Sequence, residues 1–545
     1  MKWRYSDRFA QMKGEAMQNK VTRVAVALLV TCALGSCKNA LPPTPEIEAW
    51  VKEHDGHASI YSAAADGRVD VLAWLKQRGA NVNAKTKESP LDRLRSLRSP
   101  HGLTPMHFAA MGGHVEAIKW LKEQGANVNI KDSEGRTPMN VATARGYVEA
   151  MKCLKELGGE GGEANWDRGL MRIAILGRFF SSPWFEDPKK TGSKENRLEA
   201  VKWLKEQGAD VHAKDEHDQT FMHEAARMGY VDIMKWLQEQ GLDINAENKC
   251  GETPMYEAMQ SCRFDAVKWL HEQGIDLNVP DRFGKSQMPS LMNGAANRGN
   301  IEAMKWLKER GASVNGHVDH GRTPMTPMHI AAWAGKVEAM QWLKENGADI
   351  NPPSRTTPMH LAAYDNRIEA MKWLKDQGID VNIRNEDGDT PIQGTTVNGQ
   401  IEAIKWLKQH GADVNAQDKN GRATMHSAAA NLWSGIELMA CLKEHGADIH
   451  IQDKDGQTPM HVVAARGCVD NLQWLKEQGA DLNARDKNGW TLMHHAAHHG
   501  SIKNMQWLKK QGANLNAKSN DSQTPLSVAH TDNRVKKWLL ANGAK

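Results

Sequence analysis

The chain has 545 residues, a quarter of them charged, a mean hydropathy of −0.62 and a formal net charge of +4. Residues 1–36 hold Lys2, Arg4, Arg8, Lys13, Lys20 and Arg23 against only Asp7 and Glu15, so the remainder of the chain is neutral. A neutral body argues against a nucleic-acid partner, which needs a basic face to meet phosphates. Cys32, Cys37, Cys153, Cys250, Cys262, Cys441 and Cys468 are scattered, with no CxxC and no metal-ligand spacing. An odd, dispersed set of thiols excludes a disulfide framework.

In chain order the first feature is an apolar run, residues 24–34 (VAVALLVTCAL), behind Lys20 and Arg23. It is too short to span a bilayer, which takes about 20 apolar residues. It has the layout of a secretory signal, with a buried apolar helix as the alternative. The run ends Leu34-Gly35-Ser36-Cys37, which resembles the lipobox of bacterial lipoproteins. That resemblance implies a signal peptide over 1–36, lipidation of Cys37, and retention at a periplasmic or outer membrane of the envelope. A start at Met17 gives a more compact signal and would leave residues 1–16 untranslated; both starts stay open. Residues 37–45 follow as a lipidated cysteine and a proline-bearing tether.

From residue 46 to 545 one pattern recurs. A clear copy is TPMHFAAMGGHVEAIKWLKEQGANVNIK from Thr104, and others begin at Thr357 and Thr458. Thr104 can cap a first helix and Pro105 suits its first position. Ala109 and Ala110 let neighbouring first helices approach, and Gly113 can end the helix with positive φ. A second helix from Val115 to Gln124 puts Val115, Ala117, Ile118, Trp120 and Leu121 on one stripe, with Lys119, Lys122 and Glu123 toward water. Gly125 then ends it, and Asn127-Val128-Asn129, Asp132 and Gly135 form a turn into the next copy. No single copy can bury its stripe, so stacking is obligatory. Ile47–Val51 and Val535–Leu540 suit the terminal units.

The roughly 33-residue period and the T-P-M-H-x-A signature resemble the ankyrin repeat. The resemblance implies an all-α fold with short β-hairpin-like turns, a solenoid of about fourteen helix–turn–helix units, some partial. It further implies a non-catalytic scaffold that binds a protein partner through its concave face and turn tips, with no cofactor. In such repeats the histidine of the TPMH slot (His107, His223, His329, His360, His426, His461 and His494 here) is a structural hydrogen-bonding residue. Tryptophan recurs in the KWL slot of the second helix and reads as a packing ridge.

Two insertions interrupt the pattern. Residues 85–103 carry Arg93, Arg95 and Arg98 beside Leu91, Leu94 and Leu97. They read as a solvated loop or a short basic amphipathic helix. Residues 178–196 contain Phe179, Phe180, Trp184 and Phe185, which either cover a gap in the stack or form a binding knob. In the slot after the paired alanines most units carry small, polar or charged residues, such as Arg227 and Asn297. Two adjacent units carry Trp333 and Tyr364 there, and the turn before them holds His317, Asp319 and His320. Exposed Trp and Tyr are common interface anchors, so these residues are the candidate partner-binding set.

Two rival readings remain. One is an ankyrin effector delivered into a eukaryotic host cell, against which the lipobox argues. The other is a metal-binding or enzymatic protein using His495, His498 and His499, whose spacing allows one exposed helix face. No carboxylate joins them in sequence, and no phosphate loop, catalytic triad or cofactor fingerprint is present.

Overall fold

The computed structural model describes residues 43–54, 59–86, 101–161, 169–176, 194–280, 284–320, 323–352, 354–432, 434–466, 468–529 and 533–545. Cys37, the four aromatic residues Phe179, Phe180, Trp184 and Phe185, and residues 87–100 lie outside them. So do the side chains of Asp319 and His320. Among the described residues there are 29 helices, most of seven to nine residues, and one antiparallel pair of short strands, Val318–His320 with Thr323–Met325. The chain divides into two compact units, Met1–Leu277 and Asn278–Lys545. No described helix is long and apolar enough to cross a membrane.

Each unit is a stack of short helix pairs, and the sequence dictates the pair locally. Thr357 holds an extended backbone and its side chain accepts from the His360 N–H, starting the helix Pro358–Tyr364. Pro358 sits in the first turn, where no amide hydrogen is needed. One repeat earlier, Thr326 starts Pro327–Ala334, which Gly335 ends at φ 70°. A side chain at Gly335 would also strike Arg367, whose Cδ lies 2.7 Å from the site of a Cβ. The glycine after each second helix behaves as its position predicts: Gly125 has φ 84° and Gly378 has φ 88°.

The core follows from small residues meeting across the stack. Ala331, Ala332, Ala362 and Ala363 have no exposure, so Pro327–Ala334 and Pro358–Tyr364 pack backbone to backbone. Met359, Met371 and Leu374 fill the space between the two helices of their repeat and are likewise fully buried. In the first unit Met106, Ala109, Ala110, Ile118 and Leu121 do the same. The tryptophan slot is a packing ridge: Trp203, Trp236, Trp269, Trp342, Trp406 and Trp507 are buried. Cys153 and Cys441 are buried in the same slot.

Polar ladders tie the repeats at the edges. The Asn382 amide donates to the Gly411 carbonyl at 3.0 Å and accepts from the Asp413 N–H at 2.8 Å. Asn83, Asn129, Asn315, Asn415 and Asn516 make the matching clamp to the next repeat. On the second helices, Lys308 donates to Asn346 at 2.7 Å and Lys443 to Gln478 at 2.8 Å. The base of the first insertion is pinned, because the Thr86 N–H donates to the Leu103 carbonyl at 2.8 Å and the Gly102 N–H to the Thr86 carbonyl at 2.9 Å.

Leu374 is fully buried between two helices and its neighbours on either side. Leu374→Ala is expected to cost about 2–5 kcal/mol, the range for a buried leucine truncated to alanine. Urea titration monitored by circular dichroism, with hydrogen exchange placing the loss within residues 358–411, checks this.

Candidate functional site

The slot histidines were the most frequent chemically competent side chains in the sequence, and their geometry decides their role. The Thr104 N–H donates to His107 Nδ1 at 3.2 Å, and His107 Nε2 lies 3.0 Å from the Arg136 carbonyl of the next repeat. A carbonyl only accepts, so Nε2 carries the proton and Nδ1 accepts. His223 reaches the Glu252 carbonyl, His329 that of Thr356, His360 that of Asp389, His426 that of Gln457 and His494 that of Gln523, all at 2.9–3.0 Å. Each ring is used at both ends, one within its repeat and one across to the next. Asn140 and Gln393 occupy the same slot and do the same work with an amide: Asn140 donates to the Gly161 carbonyl and Gln393 to that of Arg422. A position that accepts His, Asn or Gln without loss of its bonds is structural.

Burial holds these imidazoles neutral. It pushes His107, His223, His329, His426 and His494 below the usual imidazole value, and His360 and His461 down to about 4. His461 is the exception in bonding among the described slot histidines. Its Nδ1 accepts from the Thr458 N–H at 3.1 Å, while its buried Nε2 falls short of a well-formed bond to the Trp490 carbonyl of the next repeat.

The histidine cluster at 494–499 is not the exposed ligand face that its spacing suggests. His495 is buried, with Nε2 2.9 Å from Asp486 Oδ2, and its ring meets His461 edge-on at 5.2 Å between centroids. Asp486 sits in the turn before this helix, where it also accepts from the Asn488 and Trp490 N–H groups. Helical spacing could not show that carboxylate, because it comes from outside the helix. His498 and His499 are exposed and meet edge-on at 5.0 Å between centroids, with His498 Nδ1 turned to the Val528 carbonyl and His495 Nε2 to Asp486. No described group of three or more His, Cys, Asp or Glu residues is arranged to hold a metal ion.

The remaining candidate is a surface in the second unit. Two positions one helical turn apart on each first helix flank the buried alanine pair, the residue after the slot histidine and the one after the alanines; most are at least partly exposed, while Ile330 and Ala465 are buried. In five successive repeats they are Ile330 and Trp333, Leu361 and Tyr364, Gly394 and Val397, Ser427 and Ala430, and Val462 and Ala465. None is charged. Trp333 and Tyr364 are half-buried, and their carbonyls accept from Arg367 at 3.1 Å and Asn398 at 3.2 Å, so both backbones are fixed by the next repeat. Arg367 also pairs with Asp365, the residue after Tyr364. His317 is exposed at the foot of the strand pair, where Val318 pairs with Met325.

Sequence reasoning missed the most exposed members of this face. Val397 is 59% exposed and Leu432 56%, and Ile436 at 37% lies beside them on the next helix. Val397 occupies the slot of Trp333 and Tyr364, so aligning the degenerate copy PIQGTTVNG to its neighbours would have found it. Leu432 lies in a turn of altered length and has no such signal. The first unit is mixed at the same positions: Phe108 with Met111 and Val141 with Ala144 are uncharged, whereas Glu224 with Arg227 and Glu257 with Gln260 bring in charge. Glu224 is buried against Arg172 Nε at 2.8 Å, and burial raises the Glu257 carboxyl while the Gln219 amide donates to it at 3.1 Å.

A family model described as ankyrin repeats (3 copies) matches residues 63–163, 192–281, 291–385, 359–453, 395–486, 425–519 and 472–545. The chain belongs to the ankyrin-repeat family. Arrays of this family are typically non-catalytic scaffolds for protein partners, and the all-helical repeat fold agrees with that membership. Among solved structures, the crystal structure of the human ASB11 ankyrin repeat domain is similar at 24% identity and a TM-score of 0.35. That match covers 42% of this chain and 99% of the ASB11 domain. No curated protein sequence matches the chain.

The slot histidines make this ankyrin array sensitive to acid. A folded-state value of about 4 for His360 lies below the roughly 6.5 of an unfolded chain. Between those values the unfolded state binds more protons, so the contribution is complete above about pH 6.5 and is lost as pH falls toward 4. Going from pH 7.5 to 5.0 is expected to cost roughly 2 kcal/mol at His360 alone. His360→Gln, copying Gln393, should keep stability at pH 7.5 and lose less on acidification than the parent. Urea midpoints at the two pH values measure this, and equal losses in both proteins would contradict the assignment.

Proposed function

We propose that this ankyrin chain is a non-catalytic scaffold that binds a protein partner across the first-helix face of its second unit. The observation that carries the reading is the uncharged face over five successive repeats, with Trp333, Tyr364, Val397 and Leu432 outside the core. Three of the large hydrophobic residues most exposed among the described residues, Val397, Leu432 and Ile436, gather in neighbouring repeats there. Gathered apolar exposure of that kind marks interaction sites, whereas isolated exposed side chains do not. Trp333 and Tyr364 add large rings whose backbones are already held, so docking on them costs little further ordering.

The double substitution Trp333→Ala with Tyr364→Ala tests the face. We expect partner binding to fall by at least tenfold while the helical signal and melting temperature stay within a few degrees of the parent. Undiminished binding would move the site to another surface, and the aromatic insertion around Phe179–Phe185 is the next to mutate.

We further propose that the scaffold is held at a bacterial envelope membrane by a lipid on Cys37. Support comes from the sequence order of basic residues, apolar run and Leu34-Gly35-Ser36-Cys37. Cys37→Ser should yield an uncleaved or soluble product. Mass spectrometry finding an intact, unmodified Cys37 peptide in the native cell would exclude the anchor and favour the reading as an effector delivered into a host cell.

A further inference from the structure

The paired alanines that let successive first helices approach are missing from one repeat in the middle of the second unit. In the copy PIQGTTVNG, Thr395 and Thr396 stand where Ala362 and Ala363 stand one repeat earlier, and both are buried. Their hydroxyls turn back on their own helix. Thr395 Oγ1 donates to the Ile392 carbonyl at 2.6 Å and Thr396 Oγ1 to the Gln393 carbonyl at 2.9 Å. Bonds of this kind compete with the backbone ladder of a helix. The helix Pro391–Thr395 is five residues long, against eight for Pro327–Ala334 and seven for Pro358–Tyr364, and it contains Gly394. Shortness and an internal glycine both disfavour the helical state.

The first helix that follows is weakened on the same side. In Thr424–Ala430 the cap position holds Ala423, which has no hydroxyl, and Thr424 takes the place of the first-turn proline. The Thr424 hydroxyl is buried without a hydrogen-bond partner. Pro391–Thr395 packs closely on Pro358–Tyr364 but only sparsely on Thr424–Ala430. Threonines in place of alanines account for the difference, because added side-chain volume at a close-packed seam holds the backbones apart. Val397 and Leu432 at this seam are 59% and 56% exposed, so opening it forfeits little apolar burial. The frame around the seam is intact. Asn382 keeps its clamp to Gly411 and Asp413, the Lys419 N–H donates to the Asp387 carbonyl at 3.0 Å, and the second helices Ile368–Asp376 and Ile401–Gln409 pack on one another.

We propose that residues 391–399 are a local opening segment: this first helix unfolds and refolds while the hairpin turns and second helices beside it stay packed. The bonds lost on opening are few. They are the Gln393 side-chain bond to the Arg422 carbonyl, the Thr396 N–H bond to the Gln393 carbonyl at 3.4 Å, and the amide bonds of Asn398 to Tyr364 and of Asn431 to Thr396. Segments with little buried apolar surface and few bonds open at a fraction of the free energy of global unfolding. The opening puts a point of give in the first-helix face between Tyr364 and Leu432, where the face can change its spacing without breaking the clamps at the hairpins. It holds whether or not that face binds a partner.

The test is native-state hydrogen exchange of the full chain, read by mass spectrometry. The bonded amides of residues 392–400 are expected to exchange roughly a hundredfold or more faster than those of 360–367 and 403–410. A Cβ at Gly394 would meet nothing closer than the His360 carbonyl at 3.8 Å, so Gly394→Ala favours the helix without a clash. It should slow exchange of 392–400 about fourfold and leave both flanks unchanged. A second reading uses Ile392→Cys and Met359→Cys, which are fully buried at the same position of adjacent repeats. Peptide mapping separates them from the native thiols, and the thiol at 392 should be alkylated at least about tenfold faster. Exchange of 392–400 at the rate of its flanks overturns the proposal, as does equal alkylation of the two thiols. A Gly394→Ala effect that is absent, or spread equally over 360–410, also overturns it, since the segment would then open only with the whole stack. Circular dichroism checks each variant, and if Ile392→Cys does not fold the exchange measurements decide alone.

Discussion

The bond from each slot residue to the next repeat is the constraint on which the rest of the structure depends. His107, His360, Asn140 and Gln393 differ in chemistry, yet each takes a donor from its own helix cap and gives a proton to a carbonyl in the following repeat. The slot is fully buried in these cases, so an unmade bond there would cost the desolvation of a polar group with no return. This fixes the spacing between successive first helices. The paired alanines are then required, because any larger side chain would hold the helices apart. The hairpin clamps of Asn382 and its counterparts fall into register at the same spacing.

That constraint also decides where function can reside. The interior face of each repeat is committed to its neighbours, and the backbone ends are committed to caps and clamps. What varies most on a first helix is the pair of positions after the slot residue and after the alanines, exposed in some repeats and buried in others, as at Glu224 and His495. In the first unit these include Glu224, Arg227 and Glu257, part of a local charged network with Arg172. In the second unit they are uncharged through the five repeats from Ile330 to Ala465, and in the next repeat they are His495 and His498. One scaffold therefore varies the chemistry of these positions from repeat to repeat, with no change in how its helices pack.

His461 shows what happens when a neighbouring residue alters the slot. His495 replaces the aliphatic, aromatic or small residues found at this position in most other repeats and takes Asp486 as its partner. Its ring lies edge-on to His461, whose Nε2 makes no well-formed bond to the Trp490 carbonyl. A single polar residue on a first helix can consume the carboxylate of its hairpin turn. It does so without disturbing the caps at Thr458 and Thr491, which keep their bonds to His461 and His494.

The sequence by itself determined the repeat, because a 33-residue period with a capping threonine, a first-turn proline, paired alanines and a terminating glycine permits few other packings. It also determined that the slot histidines and the tryptophans are structural, since each recurs in phase with the helices. Only the tertiary structure decided which polar residues meet across the repeat boundary. Asp486 reaches His495 from a preceding turn, and the carbonyl that each slot histidine seeks lies about one repeat away. Exposure was likewise a tertiary property. Trp333 and Tyr364 stand out as letters, but Val397 and Leu432 are more exposed, and exposure depends on what neighbouring repeats cover.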